Sequence, residues 1–173
     1  MMLLKSIVPV ALFAATAVAD VTSINNALLT VTKDLIALNS TLANFSGDLF
    51  AAIPILGASL TLENAIKAGT KTANASQPLN FDDTLIIAQS TADLAEDATS
   101  CINTLISVKP KFDKLLVVTP ITLGITKDLR KLTAAFATAI IAKVPANFQE
   151  VAKQLVQGID DDFARGIKAY GGK

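Results

Sequence analysis

Apolar residues recur at alternating steps of three and four along most of this chain, the spacing of one face of an α-helix. The first stretch is the clearest. From Asp20 onward, Ile24, Leu28, Val31, Leu35, Leu38 and Leu42 form one line, ending at Phe45 before Ser46-Gly47. A second segment runs from Asp48 to Ala73, with Leu49, Ile53, Leu56, Leu60 and Ile66 as its apolar positions. Pro54 and Gly57 predict a kink there, because proline removes a helix donor and crowds the preceding turn. The polar stretch from Gly69 to Pro78 reads as a loop. The third segment opens on Asn80, with Asp83 three residues on as in a capping box. Its inward line is Ile87, Ser90, Leu94, Ala98, Cys101 and Leu105, and Pro110 is expected to break it. The fourth spans Lys111 to Lys143 on Val118, Ile125, Leu129, Phe136 and Ile140, with a kink expected at Pro120 and Gly124. The fifth follows Pro145, buries Phe148, Val151, Leu155, Ile159, Phe163 and Ile167, and stops at Gly171-Gly172. No period-2 pattern competes. The expectation is an all-α fold, an antiparallel bundle of about five helices with the second and fourth kinked.

Two features set the boundaries of that bundle. Met1 to Ala19 has a basic residue, Lys5, then a short apolar run and an Ala17-Val18-Ala19 cleavage pattern. This predicts a secretory leader over 1–19 and a helical-bundle domain over 20–173. The ending Tyr170-Gly171-Gly172-Lys173 has no apolar tail, which argues against a GPI-type anchor. No later run is long enough for a membrane span. Cys101 is the only cysteine, so no intrachain disulfide can form and packing must supply the stability. On an apolar helical line, that thiol acts as a small hydrophobe.

Composition narrows the function. Fifteen basic residues balance fifteen acidic ones, so there is no electrostatic basis for binding nucleic acid. The chain contains no histidine, which removes the commonest general base, the usual zinc sites and the ordinary Ser-His-Asp triad. No cofactor fingerprint appears, and a conventional enzyme is not expected. Asp160-Asp161-Asp162 does not suggest a cation site, because consecutive helical side chains point about 100° apart. Three sequons begin at Asn39, Asn44 and Asn74. Asn74 falls in the expected loop and is the best candidate for an N-linked sugar.

Apolar residues are 51% of the chain and aromatics only 5%, more apolar material than a minimal core requires. Hydroxyls lie among them. Ser90 is on the third inward line, and Thr119, Thr122 and Thr126 form a ridge around Pro120. Such hydroxyls often bond the carbonyl one turn back. They also suit a cavity with apolar walls and a few polar groups. The candidate ligand-binding residues are Ser90, Leu94, Cys101, Thr119, Thr122, Thr126, Leu129 and Phe136.

The Ile24-x-x-x-Leu28 and Thr32-Lys33-Asp34-Leu35 pattern, the stretch from Asp93 to Leu105, and Pro110-Lys111-Phe112 together resemble the fungal hydrophobic surface-binding protein A family, which includes cell-wall galactomannoproteins. The resemblance implies a secreted or wall-associated five-helix bundle. It further implies two activities: adsorption to hydrophobic solids, with recruitment of secreted hydrolases, and enclosure of long-chain fatty acids. It transfers no individual ligand residues. The reading that results is a secreted, extracellular protein, non-enzymatic and without cofactor, that binds a fatty acid or similar lipid inside the bundle. The alternatives are a surface-active protein and a structural wall mannoprotein.

Overall fold

The computed structural model describes residues 21–172; the expected leader and Asp20 lie outside the described residues. Five α-helices are described: α1 (Val21–Ala43), α2 (Ala52–Ala75), α3 (Phe81–Asp113), α4 (Val118–Ile141) and α5 (Gln149–Ala169), with a 3₁₀ turn at Ala146–Phe148 before the last. The α1 line is buried as its spacing requires, from Ile24 through Leu42 to Phe45. Each such side chain contributes roughly 1.5–3 kcal/mol by leaving water. At the start of α3 the capping box is complete: the Asp83 amide donates to Asn80 Oδ1 at 2.9 Å, and the Asp83 side chain receives the Asn80 amide.

Three boundaries differ from expectation. Pro54 and Pro120 each occupy the third position of their helix. The first-turn amides have no intrahelical acceptor, so proline there starts a helix rather than bending it. The expected cause of a kink in α2 and α4 therefore falls at their beginnings. Gly69–Ala75, read as loop, is the last part of α2 and is held by core packing. Ala73 is fully buried, and a Cβ on Gly69 would come within 2.9 Å of the Phe136 ring. Pro110 does not end α3, which continues to Asp113 because Phe112 is drawn into the core beside Phe45, ring centroids 4.7 Å apart. The chain turns instead at 114–117, where Leu116 takes φ +43.

Contacts close the helices into a ring in the order α1, α2, α4, α5, α3 and back to α1. Successive helices run antiparallel, as expected. The ring also brings together helices two apart in sequence, and the α1–α3, α3–α5 and α2–α4 seams are parallel. Polar ties fix the first two. Ser90 Oγ donates to Asn25 Oδ1 at 2.6 Å, and Asn39 Nδ2 donates to Ser100 Oγ at 3.0 Å. Between α3 and α5, Arg165 Nη1 donates to Asn103 Oδ1 at 2.6 Å, and Thr99 Oγ1 donates to Asp162. The α2–α4 seam is apolar, with no side-chain hydrogen bond between the two helices among the described residues.

Buried Tyr170, just past α5, closes the end where α1 and α3 finish. Its hydroxyl donates to the Leu105 carbonyl at 2.7 Å and its ring packs on Phe112. Burial pushes this phenol's pKa up, so it stays protonated and a donor at neutral pH. Tyr170→Phe keeps the ring and loses the bond. Urea denaturation is expected to show a loss of about 1 kcal/mol; unchanged stability would mean that this bond does not secure α5.

Candidate functional site

The ring encloses an apolar cavity of about 250 Å³ at the end where α2 and α4 begin. Its wall is built from the second halves of α1 and α3 and the first halves of α2 and α4, with Phe163 of α5 at its inner limit. Aliphatic side chains such as Leu38, Ile55, Leu105 and Leu129 dominate it. Three hydroxyls interrupt the wall. Ser59 Oγ donates to the Ile55 carbonyl at 2.9 Å, and Thr126 Oγ1 donates to the Thr122 carbonyl at 2.8 Å. Thr122 is the exception, because its own hydroxyl bonds no other described residue. Half-buried and two turns at most from the start of α4, it keeps its proton available for an acceptor inside the cavity.

The mouth of this cavity is also apolar. Leu49 and Phe50 from the α1–α2 connection, Ile53 from the first turn of α2, Val117 just before α4 and Ile121 in its first turn line the cavity and are exposed. Phe50 is 81% exposed, and Leu116, next in sequence to Val117, is 84% exposed. The turns that present these residues are themselves tied. Asp48 accepts from the Ala51 amide at 2.9 Å and from the Ser46 hydroxyl. Those bonds, Ser46 first, hold the Asp48 carboxyl below the usual range.

A second apolar cavity of about 170 Å³ lies toward the opposite end, among the first halves of α3 and α5 and the second half of α4. On the outside of the α4–α5 seam runs a more polar groove of about 330 Å³. There Arg130 clasps Asp160 through two bonds of 2.7 and 2.6 Å. The guanidinium lowers the Asp160 pKa, so the ion pair persists at neutral pH and is lost as pH falls through that lowered value.

The structure divides the candidate residues. Cys101, Thr122, Thr126 and Leu129 line the first cavity, whereas Leu94 and Phe136 line the second. Ser90 lines neither; it faces α1 and bonds Asn25, so its place on the α3 line serves a helix–helix seam. Thr119 is likewise outside, with its hydroxyl donating to Asp113 Oδ1 at 2.9 Å across the α3–α4 turn. Both are corrected as cavity residues. The expected α2 face is also corrected: Leu49, Ile53, Leu56 and Leu60 are exposed, while Ala52, Ile55, Ser59, Leu62 and Ile66 are buried. Sequence reasoning missed Ser59 and Phe163 as wall residues. The Ala52, Ile55, Ser59, Leu62, Ile66 line has the required three–four spacing and could have revealed Ser59.

Asn74 lies exposed in the last turn of α2, not in a loop, and Asn44 is exposed after α1. Asn39 is different. Its Nδ2, the atom a sugar would occupy, donates to Ser100, and its Oδ1 is buried. Among the described residues no group of three His, Cys, Asp or Glu side chains could hold a metal ion. The Asp160–Asp162 run fans out to Arg130, Gln157 and Arg165. No described helix is long and apolar enough to cross a membrane.

Residues 21–142 match the family described as hydrophobic surface binding protein A. The chain belongs to this family. Cell wall mannoprotein 1 of Aspergillus fumigatus is 33% identical over 137 residues, 78% of this chain and 46% of that protein. The chain thus spans about half the length of that curated relative. Among solved structures, Afmp4p in complex with palmitic acid superposes with a TM-score of 0.84 at 24% identity, covering 87% of this chain and 99% of that one. Ligand binding domain 2 of the Penicillium marneffei MP1 protein, complexed with multiple arachidonic acids, gives 0.83 at 18% identity, covering 89% and 97%. At these identities the likeness establishes a shared fold, and the family's expected five-helix architecture is the one seen.

Cys101 provides a probe of the first cavity. Burial, and secondarily Asp97, push its thiol pKa to about 12. Because only the thiolate reacts, roughly one part in ten thousand is reactive at pH 8. Iodoacetamide is expected to alkylate the native protein roughly a thousandfold more slowly than the urea-unfolded chain. Equal rates by mass spectrometry would show that the thiol is accessible and unperturbed.

Proposed function

We propose that this protein is a secreted, non-enzymatic carrier of long-chain fatty acids or closely similar lipids, held in the first cavity. The observation that carries the reading is that cavity's make-up: apolar walls, no charged residue among those lining it, and one hydroxyl, Thr122, with its proton free. An acyl chain gains free energy there by leaving water, about 0.8 kcal/mol per buried methylene. The carboxyl group would lie toward the mouth, accepting from Thr122 Oγ1. The fatty-acid complexes of Afmp4p and of the MP1 domain support this reading by analogy of fold. The leader expected over 1–19, the exposed sequons at Asn74 and Asn44, and the wall mannoprotein relative favour an extracellular, wall-associated glycoprotein.

A second activity is favoured by a separate observation, the exposed apolar collar at the mouth. Soluble monomers seldom leave such side chains clustered in water, and Phe50 and Leu116 stand almost fully exposed. We infer that this collar adsorbs to hydrophobic surfaces. Secreted hydrolases, the partners implied by the family resemblance, would be recruited through other surfaces of the adsorbed protein.

Native mass spectrometry of the secreted protein, with organic extraction, tests the first reading. A stoichiometric fatty acid is expected; an unliganded mass that also refuses added palmitate would overturn it. Thr122→Val preserves shape and removes the donor, so palmitate affinity is expected to fall about fivefold, corresponding to about 1 kcal/mol. For the second reading, the double variant Phe50→Ser and Leu116→Ser is expected to adsorb severalfold less to polystyrene beads, with an unchanged melting temperature. Undiminished adsorption would assign the surface activity elsewhere.

A further inference from the structure

The two halves of α5 are held differently. From Ile159 onward the helix is fixed. Ile159, Phe163, Gly166 and Ile167 are buried, and Asp160, Asp162 and Arg165 are bonded to side chains of α4 and α3. In the first half, residues 149–158, no residue is buried. Its side-chain hydrogen bonds are local: Gln149 donates to the Val144 carbonyl, Lys153 to Glu150 and Gln157 to Asp161. None reaches α3 or α4 among the described residues. The free end is met by Phe81, whose ring centroid lies 5.4 Å from that of Phe148, and Phe81 is itself exposed. Gly158 marks the junction of the two halves. A Cβ there would meet nothing within 4 Å, so packing does not call for glycine. Its effect is on the helix, which glycine weakens at that turn.

The loosely held half is also a wall. Val151, Ala152, Leu155 and Val156 line the second cavity. Thr133, Ala137, Ile141, Val156 and Ile159 line both that cavity and the outer α4–α5 groove. Side chains of one seam therefore face the cavity on one side and the groove on the other, and the wall there is one layer thick. Segments with few buried contacts are those that open first. No charged residue lines this cavity. Thr84 and Thr91 give their hydroxyl protons to carbonyls one turn back. The Thr133 hydroxyl, at the seam, bonds no other described residue.

We propose that the second cavity is a binding site in its own right, entered through the α4–α5 seam when residues 149–158 swing outward about Gly158. Its ligand is a compact apolar molecule with one hydrogen-bond acceptor, met by Thr133 Oγ1. Volume sets the size. An apolar cavity of about 150 Å³ holds one benzene, so this one, at 170 Å³, takes about seven heavy atoms. A small cyclic ketone has that size and that acceptor. The site differs from the first cavity in walls, entrance and ligand size, and it does not rest on the fatty-acid reading.

Hydrogen exchange of the full chain tests the cover. Beyond the first turn, amides of residues 153–158 are expected to exchange at least about tenfold faster than those of 159–169. Gly158→Ala is expected to slow them about threefold. Phe81→Ala, which leaves the cavity wall in place, is expected to speed them about threefold. Saturation-transfer NMR with cyclohexanone tests the site. Thr133→Val is expected to weaken binding about fivefold, and Ala152→Phe, which fills the cavity from α5, to abolish it. Equal protection of 153–158 and 159–169 would overturn the cover. Cyclohexanone binding that is absent from the wild type, or that survives both cavity variants unchanged, would overturn the site. Either result leaves the fatty-acid reading of the first cavity as it stands.

Discussion

Everything in this structure depends on how five helices share one axis. A ring of five encloses more space at its centre than a pair or a triplet, and here it is lined mainly by aliphatic side chains. With aromatics at 5% of residues and no intrachain disulfide possible, the chain secures its ring at the edges. It does so through the Phe45–Phe112–Tyr170 cluster, the capping box on α3 and the polar seams among α1, α3 and α5. The interior is left as two apolar compartments. A close-packed interior is the usual outcome of folding; this one departs from it along the axis, leaving apolar space inside the ring.

The two ends of the ring are not equivalent. At one, the α1–α2 and α3–α4 connections present Leu49, Phe50, Leu116 and Val117 to solvent around the first cavity. At the other, the second cavity sits behind the partly exposed start of α5, where Val151 is 64% exposed. The two proposed activities, surface adsorption and lipid enclosure, are thus compatible in one chain. The collar that would meet a hydrophobic surface is continuous with the wall that would receive an acyl chain, so both proposed activities would draw on the same apolar surplus.

Much of this architecture was legible in the sequence. The α1 line, the α3 line, the Asn80–Asp83 start and the helical class all follow from spacing and capping chemistry. The family follows from the same patterns. What sequence reasoning missed has specific physical causes. Both faces of the first half of α2 are apolar, so periodicity alone could not tell Leu49, Ile53, Leu56 and Leu60 from the line that is buried. Proline at 54, 110 and 120 signals a perturbation but not whether it falls in a first turn, where it costs nothing, or in a last one that core packing holds together. Ser90 and Thr119 sat near the right stripes, yet a hydroxyl's partner depends on the neighbouring helix, which local spacing does not encode. Phe163 was visible as a core residue; its position between a cavity and a groove exists only once α4 and α5 are placed.

The contrast between the two kinds of parallel seam has a consequence for how such proteins diversify. Across α1, α3 and α5, side-chain hydrogen bonds fix the axial register, so substitution there risks stranding a partner. Across α2 and α4 the contact is apolar, and many combinations of similar total volume would preserve it. The α2–α4 seam is therefore the more tolerant of substitution, except at Gly69, where a Cβ would come within 2.9 Å of the Phe136 ring. Volume-preserving changes across α2 and α4 would thus reshape the wall of the first cavity while the side-chain ties among α1, α3 and α5 stay in place.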